Sequence, residues 1–95
     1  MSRSRQELLS SLGSLLDSAV AEIDSDNPDR AYEERIREQI RIIGFEAATI
    51  MNLEQMMELA EDAASASGKD WGVRIDIIDK WWDDIRDKNG SPWLA

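Results

Sequence analysis

The sequence predicts an all-α protein, a small bundle of three helices (or four) built around a long central one. Two observations predict this. Apolar residues recur at helical spacing in three stretches, and helix-start and helix-stop residues bracket each stretch. No strand pattern and no internal repeat interrupts them. The 95 residues allow one domain, 1–95, with no room for a second.

The first helix is expected over about 4–24. Ser4 followed by Glu7 makes a capping box, in which the two side chains satisfy two backbone donors left free at a helix start. Leu8, Leu12, Leu15, Leu16, Ala19, Val20 and Ile23 then share one face, while Ser10, Ser14, Ser18 and Ala21 line the other. That small-residue face reads either as a weak exposed face or as a place for a close helix–helix approach.

The second helix is expected over about 28–67, with Asn27 as its cap and Pro28 at its first position. A stripe runs Tyr32, Ile36, Ile40, Ile43, Ala47, Ile50, Leu53, Met57, Ala60 and Ala64, and Ile36, Ile43, Ile50, Met57 and Ala64 repeat every seven residues. Such a repeat makes a coiled-coil-like seam. One continuous helix would be about 60 Å long, longer than its neighbours can cover. A helix-paired homodimer follows, with Ile36, Ile40, Ile43, Ile50 and Met57 as its seam. The competing reading breaks the helix near Asn52, which would cap a new helix with Gln55 at the third position.

Gly68 ends this helix and Asp70 caps the next, expected over about 71–88 and followed by a tail at 89–95. Val73, Ile77, Ile78, Trp81, Trp82 and Ile85 supply its apolar face. Lys88 falls in its last turn, and Gly90 and Pro92 stop it. Trp93 and Leu94 have little local reason to exist unless they fold back onto a groove.

On such a helix Asp76, Asp79, Asp83 and Asp87 fall within roughly an 80° arc, and Asp84 widens it. A single-sign acidic ridge is locally costly, because like charges one turn apart repel and Asp87 would sit at the anion-disfavouring C-terminus. Read functionally, the ridge is a surface for a basic partner, standing in for phosphate on a nucleic-acid-binding protein as DNA-mimic inhibitors do. Read structurally, it is a solvated face. Trp71, Trp81, Trp82 and Trp93 all lie in the last quarter of the chain. Trp81 is assigned to the core, and Trp82 and Trp93 are assigned to anchor the edge of the partner surface.

Composition excludes several chemistries. Twenty Asp and Glu against eleven Lys and Arg leave a formal charge of −9, the wrong sign for direct nucleic-acid binding. With no cysteine and no histidine, thiolate metal sites and histidine general bases are impossible. Glu34 with Glu38, and Glu54, Glu58, Glu61 and Asp62, form two acidic groups. Paired acidic helices of this kind hold magnesium in small all-α nucleotide pyrophosphohydrolases. The spacing here departs from that motif, and Glu34 and Glu38 face away from the Ile36 seam, so magnesium hydrolysis is the last alternative. No cofactor and no metal is expected.

The segment Trp82 to Trp93, with Arg86, the Asn89–Gly90 turn and the closing aromatic, is similar to the last helix of bacterial nuclease-toxin immunity proteins, which are also acidic, all-α and of this size. The rest of the chain does not follow that family. Arginine outnumbers lysine eight to three, a usage common in GC-rich bacteria and their phages. Arg3 and Arg5 precede leucines, but Ser10, Ser11, Ser14 and Asp17 break any leader core, and no window is apolar enough to span a membrane. The resulting expectation is a cytoplasmic, non-enzymatic module, an inhibitor or adaptor that docks on a basic protein and is phage-encoded or bacterial. A structural assembly component held by the long-helix seam is the alternative.

Overall fold

A computed structural model of the protein describes residues 3–93, so Leu94 lies outside the described residues. Four helices follow one another: α1 Arg5–Ile23, α2 Arg30–Ile50, α3 Leu53–Ser65 and α4 Trp71–Trp81. A non-helical segment, 82–93, completes the fold and carries an isolated antiparallel bridge between Arg86 and Pro92. No helix among the described residues is long and apolar enough to cross a membrane.

Helix α1 starts where the capping box places it. Ser4 Oγ accepts the Glu7 N–H at 3.2 Å, and Glu7 Oε1 accepts the Ser4 N–H at 3.2 Å. Its Leu8, Leu12 and Leu16 are fully buried and pack against both α2 and α3. Helix α2 begins two residues later than the Asn27–Pro28 pair suggests. Asp29 is the cap, because its carboxylate reaches the Ala31 and Tyr32 N–H groups at 3.0 and 3.2 Å. A carboxylate that holds two free donors of the first turn fixes the start more firmly than a proline that merely tolerates it.

The expected continuous helix over 28–67 is two helices. Met51 leaves α2 with extended geometry (φ −122°, ψ 147°), and Asn52 opens α3. Asn52 Oδ1 accepts the Gln55 N–H at 2.9 Å and Gln55 Oε1 accepts the Asn52 N–H at 3.0 Å, a second capping box. The C-terminal segment supplies the rest. The Lys88 N–H donates to the Met51 carbonyl at 3.1 Å, and the Leu53 N–H donates to Asp87 Oδ2 at 2.7 Å. The break therefore leaves neither group unpaired, as burial requires. Folding back at Met51 also keeps the molecule to 41 Å in its longest dimension. Replacing Asn52 by alanine is expected to lower stability by about 1 kcal/mol, the usual cost of losing a cap. A urea titration checks this, and unchanged stability would mean that the capping box does not hold the break.

Folding back also moves the seam. Ile36, Ile40 and Ile43 become core residues packed inside the chain, and of the expected homodimer seam only Ile50 and Met57 remain exposed. One bundle buries this stripe intramolecularly, where a single long helix would have required a second copy.

Helix α4 stops at Trp81, seven residues before the expected end at Lys88. Adjacent indoles on one helix point about 100° apart, and both are buried, Trp81 at 8% and Trp82 at 0% exposure. Leaving the helix after Trp81 lets Trp82 and Ile85 reach α2. The indole Nε1–H of Trp82 donates to the Ile40 carbonyl at 2.9 Å. Gly44 makes that approach to the α2 backbone feasible, since a Cβ there would lie 2.6 Å from Trp82 Nε1. Arg41 caps the end of α4 from outside, with Nη1 donating to the Trp81 carbonyl at 2.8 Å. Helix α3 ends at Ser65 with Ala66 as its cap, slightly before the expected stop, and Gly68 (φ 74°) turns the loop that follows, its N–H donating to the Ser65 carbonyl at 3.0 Å; Gly90 (φ 83°) turns the C-terminal loop. Asp70 holds the cap position of α4 but is left-handed and makes no side-chain cap bond.

Candidate functional site: a groove between α3 and α4

The five aspartates expected on one outward edge are dispersed. Asp76 and Asp79 remain on α4. Asp83 is exposed beside Lys80, on the side of α4 that meets Arg30 and Arg37 of α2. Asp84 makes a two-pronged ion pair with Arg41, with Nη1 and Nη2 donating to Oδ1 and Oδ2 at 2.8 and 2.9 Å. Asp87 is buried and accepts backbone N–H groups from Leu53, Asn89 and Ser91 at 2.7, 2.9 and 2.7 Å. It is a structural bracket that ties the C-terminal loop to the start of α3. The single ridge does not form, because the helix that would align it ends before Asp83.

These two carboxylates titrate accordingly. The Arg41 hydrogen bonds hold the Asp84 carboxyl at about 2, against an ordinary value of 3.8. For Asp87, burial pushes the carboxyl up, but the N–H donors of Ser91, Asn89 and Leu53 outweigh it and leave it below its ordinary value. A carboxyl lowered by folding stabilises the native state above its unfolded pKa, and that contribution is lost as pH falls through the folded value. The protein is therefore expected to lose stability as pH drops from about 5 toward 2. The Asp84→Asn variant should lose less over that interval, because its share is already gone. Urea midpoints measured across the range check this, and parallel curves would contradict it.

The tryptophans divide differently from expectation. Trp82 is core and unavailable to a partner, whereas Trp71 is half exposed. Trp93 is nearly buried and packs edge-on against Trp82, with ring centroids 5.0 Å apart. Its Nε1–H donates to Asp79 Oδ1 at 3.0 Å. Trp93 thereby folds back against α4, as its isolated position in the tail suggested.

Together these residues build a groove of about 260 Å³ between α3 and α4, lined by Met57, Ala60, Glu61, Ile75, Asp79 and Trp93. Its floor is apolar and its two charged residues are both acids. The groove has an acidic surround. Helix α3 carries Glu54, Glu58, Glu61 and Asp62 and no cation at all. Helical spacing puts Glu54 one turn before Met57 and Asp76 one turn before Asp79, each on the groove side of its helix. Sequence reading grouped the α3 acids only as a magnesium ligand set. Their relation to α4 depends on the fold-back at Met51, which the local Asn52–Gln55 signal raises only as an alternative. Among the described residues no group of three or more Asp or Glu side chains is placed to hold a metal ion.

Four of the eight arginines form ion pairs. Arg3 pairs with Glu46 at 2.9 Å, Arg5 with Asp62 at 2.6 Å, and Arg41 with Asp84. Arg74 of α4 is buried with Nη1 2.6 Å from Asp17 Oδ1, joining α4 to α1. That contact lies outside hydrogen-bond geometry, so Arg74 acts as a buried counter-charge to Asp17. Of these arginines only Arg5 reaches an acid of α3, and Glu54, Glu58, Glu61 and Asp76 are exposed.

Comparison with protein-family models, with characterised proteins and with solved structures finds no match to this chain.

Proposed function

We propose that the protein is a non-enzymatic, cytoplasmic binding module that docks its α3–α4 face on a basic surface of a nucleic-acid-handling protein, acting as an inhibitor or adaptor. One observation carries the reading. Helix α3 carries four acids and no cation, and Glu54, Glu58, Glu61 and Asp76 are exposed and outside the ion pairs found among the described residues, whereas Arg3, Arg41 and Arg74 pair with Glu46, Asp84 and Asp17. A face of one sign raises the encounter rate with a basic target and sets the orientation of docking. Asp76 and Asp79 keep their place in this reading. Asp83, Asp84, Asp87 and Trp82 leave it, since they lie elsewhere, pair internally or are buried.

The assembly alternative loses part of its support, because Ile36, Ile40 and Ile43 of the five seam residues are core. No observation favours magnesium hydrolysis. The test is capture from an extract of the native host on the immobilised protein. Capture of a nucleic-acid-binding protein is expected at low salt, weakening at high salt as screening shortens the interaction range. Added duplex DNA should release it by occupying the same basic surface. Capture that survives both salt and DNA would contradict the reading.

A further inference from the structure

We propose that the α3–α4 groove takes one large apolar side chain from an extended segment of the basic partner, flanked on both sides by lysine or arginine. The inference rests on the docking reading above and names what the face recognises. At about 260 Å³ the groove falls below the ~300–1,000 Å³ typical of small-molecule sites, and it suits a single side chain. Met57, Ala60, Ile75 and Trp93 give it an apolar floor, and Met57 is 45% exposed with nothing packed over it. An unbranched methionine adapts to differently shaped occupants.

The rim sets the flanking charge. Glu61 and Asp79 are the charged residues lining the groove, with Glu54 and Asp76 one turn along their helices on the same side, so cations on either side of the inserted residue meet carboxylates. Asp79 is pre-oriented, one oxygen being held by the Trp93 indole, so less ordering is required on binding. An apolar anchor in a pocket with a polar rim is the arrangement that concentrates binding energy at protein interfaces.

The experiment titrates the intact protein with three synthetic peptides and reads backbone amide shifts and the Trp93 indole N–H. One peptide carries leucine between lysines and arginines, the second replaces that leucine by serine, and the third keeps leucine between glutamates. The leucine–cation peptide is expected to shift Met57, Glu61, Ile75, Asp79 and the Trp93 indole. It should bind at least about tenfold more tightly than the serine peptide, from burial of one leucine. The glutamate peptide should not bind. In the Met57→Lys variant, altered at an exposed position, the preference for leucine should collapse.

Equal affinity for the two cationic peptides would overturn the groove while leaving charge-driven docking intact. Shifts confined to other faces, or no binding by any peptide, would also overturn it. Binding of the glutamate peptide would overturn the cationic flanks. Shifts of the groove residues on dilution without peptide would assign the groove to a second copy instead.

Discussion

Truncating Trp82 to alanine is expected to cost the fold about 3–5 kcal/mol, the usual range for removing a large buried aromatic. Whole domains are stable by only about 5–15 kcal/mol, so the variant should be close to unfolding at physiological temperature. The reasons are specific. The ring has no exposed surface and is among the largest fully buried side chains. It packs edge-on against Trp93, and its Nε1–H pairs with the Ile40 carbonyl. Alanine would leave a cavity bordered by α2 and the C-terminal segment, and Trp93 would lose its support. Phenylalanine would refill part of the volume without the donor and should fall between. The control is Trp71→Ala: a half-exposed indole away from the core should change stability by less than about 0.5 kcal/mol. Guanidinium titrations of the three variants check the ranking. Equal stability of the Trp82 and Trp71 alanine variants would return Trp82 to the surface role that the sequence suggested.

That reversal shows where sequence reasoning reached its limit. Helical class, the Ser4–Glu7 start, the glycine turn at Gly68 and the leucine face of α1 are local properties, set by residues within a few positions of one another, and they were legible. The break at Asn52 was legible only as an alternative, because the heptad-like stripe continues in phase across it. What decides in favour of the break is remote: Lys88 and Asp87 supply hydrogen bonds to Met51 and Leu53 from more than thirty positions away. The end of α4 has the same origin. Nothing near Trp81 forbids a longer helix; Arg41 and the gap opened by Gly44 draw the chain away. The acidic ridge inherited that error, since its alignment required a helix through Asp87. Asp87 in turn has a sequence signature of a kind: an aspartate followed closely by Asn89 and Gly90 suits a turn whose backbone it can hydrogen-bond. The groove had no such signal, because it joins residues from two helices and the tail.

Gly44→Ala is expected to destabilise by about 2–3 kcal/mol, although alanine is the better helix former by about 1 kcal/mol. The added Cβ would stand 2.6 Å from Trp82 Nε1 and 2.7 Å from Ile85 Cδ1. Overpacking of this kind costs about 1–3 kcal/mol. Pushing the indole off the Ile40 carbonyl leaves a buried donor unpaired at a further cost of about 1–3 kcal/mol. In a domain of this size the net loss lowers Tm by roughly 10–20 °C. Gly13→Ala in α1 makes the opposite prediction, because a Cβ there meets nothing within 4 Å. Only the helix-propensity gain remains, and a rise of about 0.5–1 kcal/mol is expected. Thermal melts of the pair isolate packing from propensity. If both variants gained stability, the contact of Trp82 with the α2 backbone would be refuted.

The central claim is that the α3–α4 face, and not net charge as such, recognises the partner. Capture by two charge-reversed proteins tests it most directly. One carries lysine at Glu58, Glu61 and Asp76. The other carries lysine at Asp24, Asp26 and Glu34, exposed positions away from the groove that change the net charge by the same amount. The first should lose the captured protein while the second retains it. Equal loss in both, or retention by the first, would contradict the account.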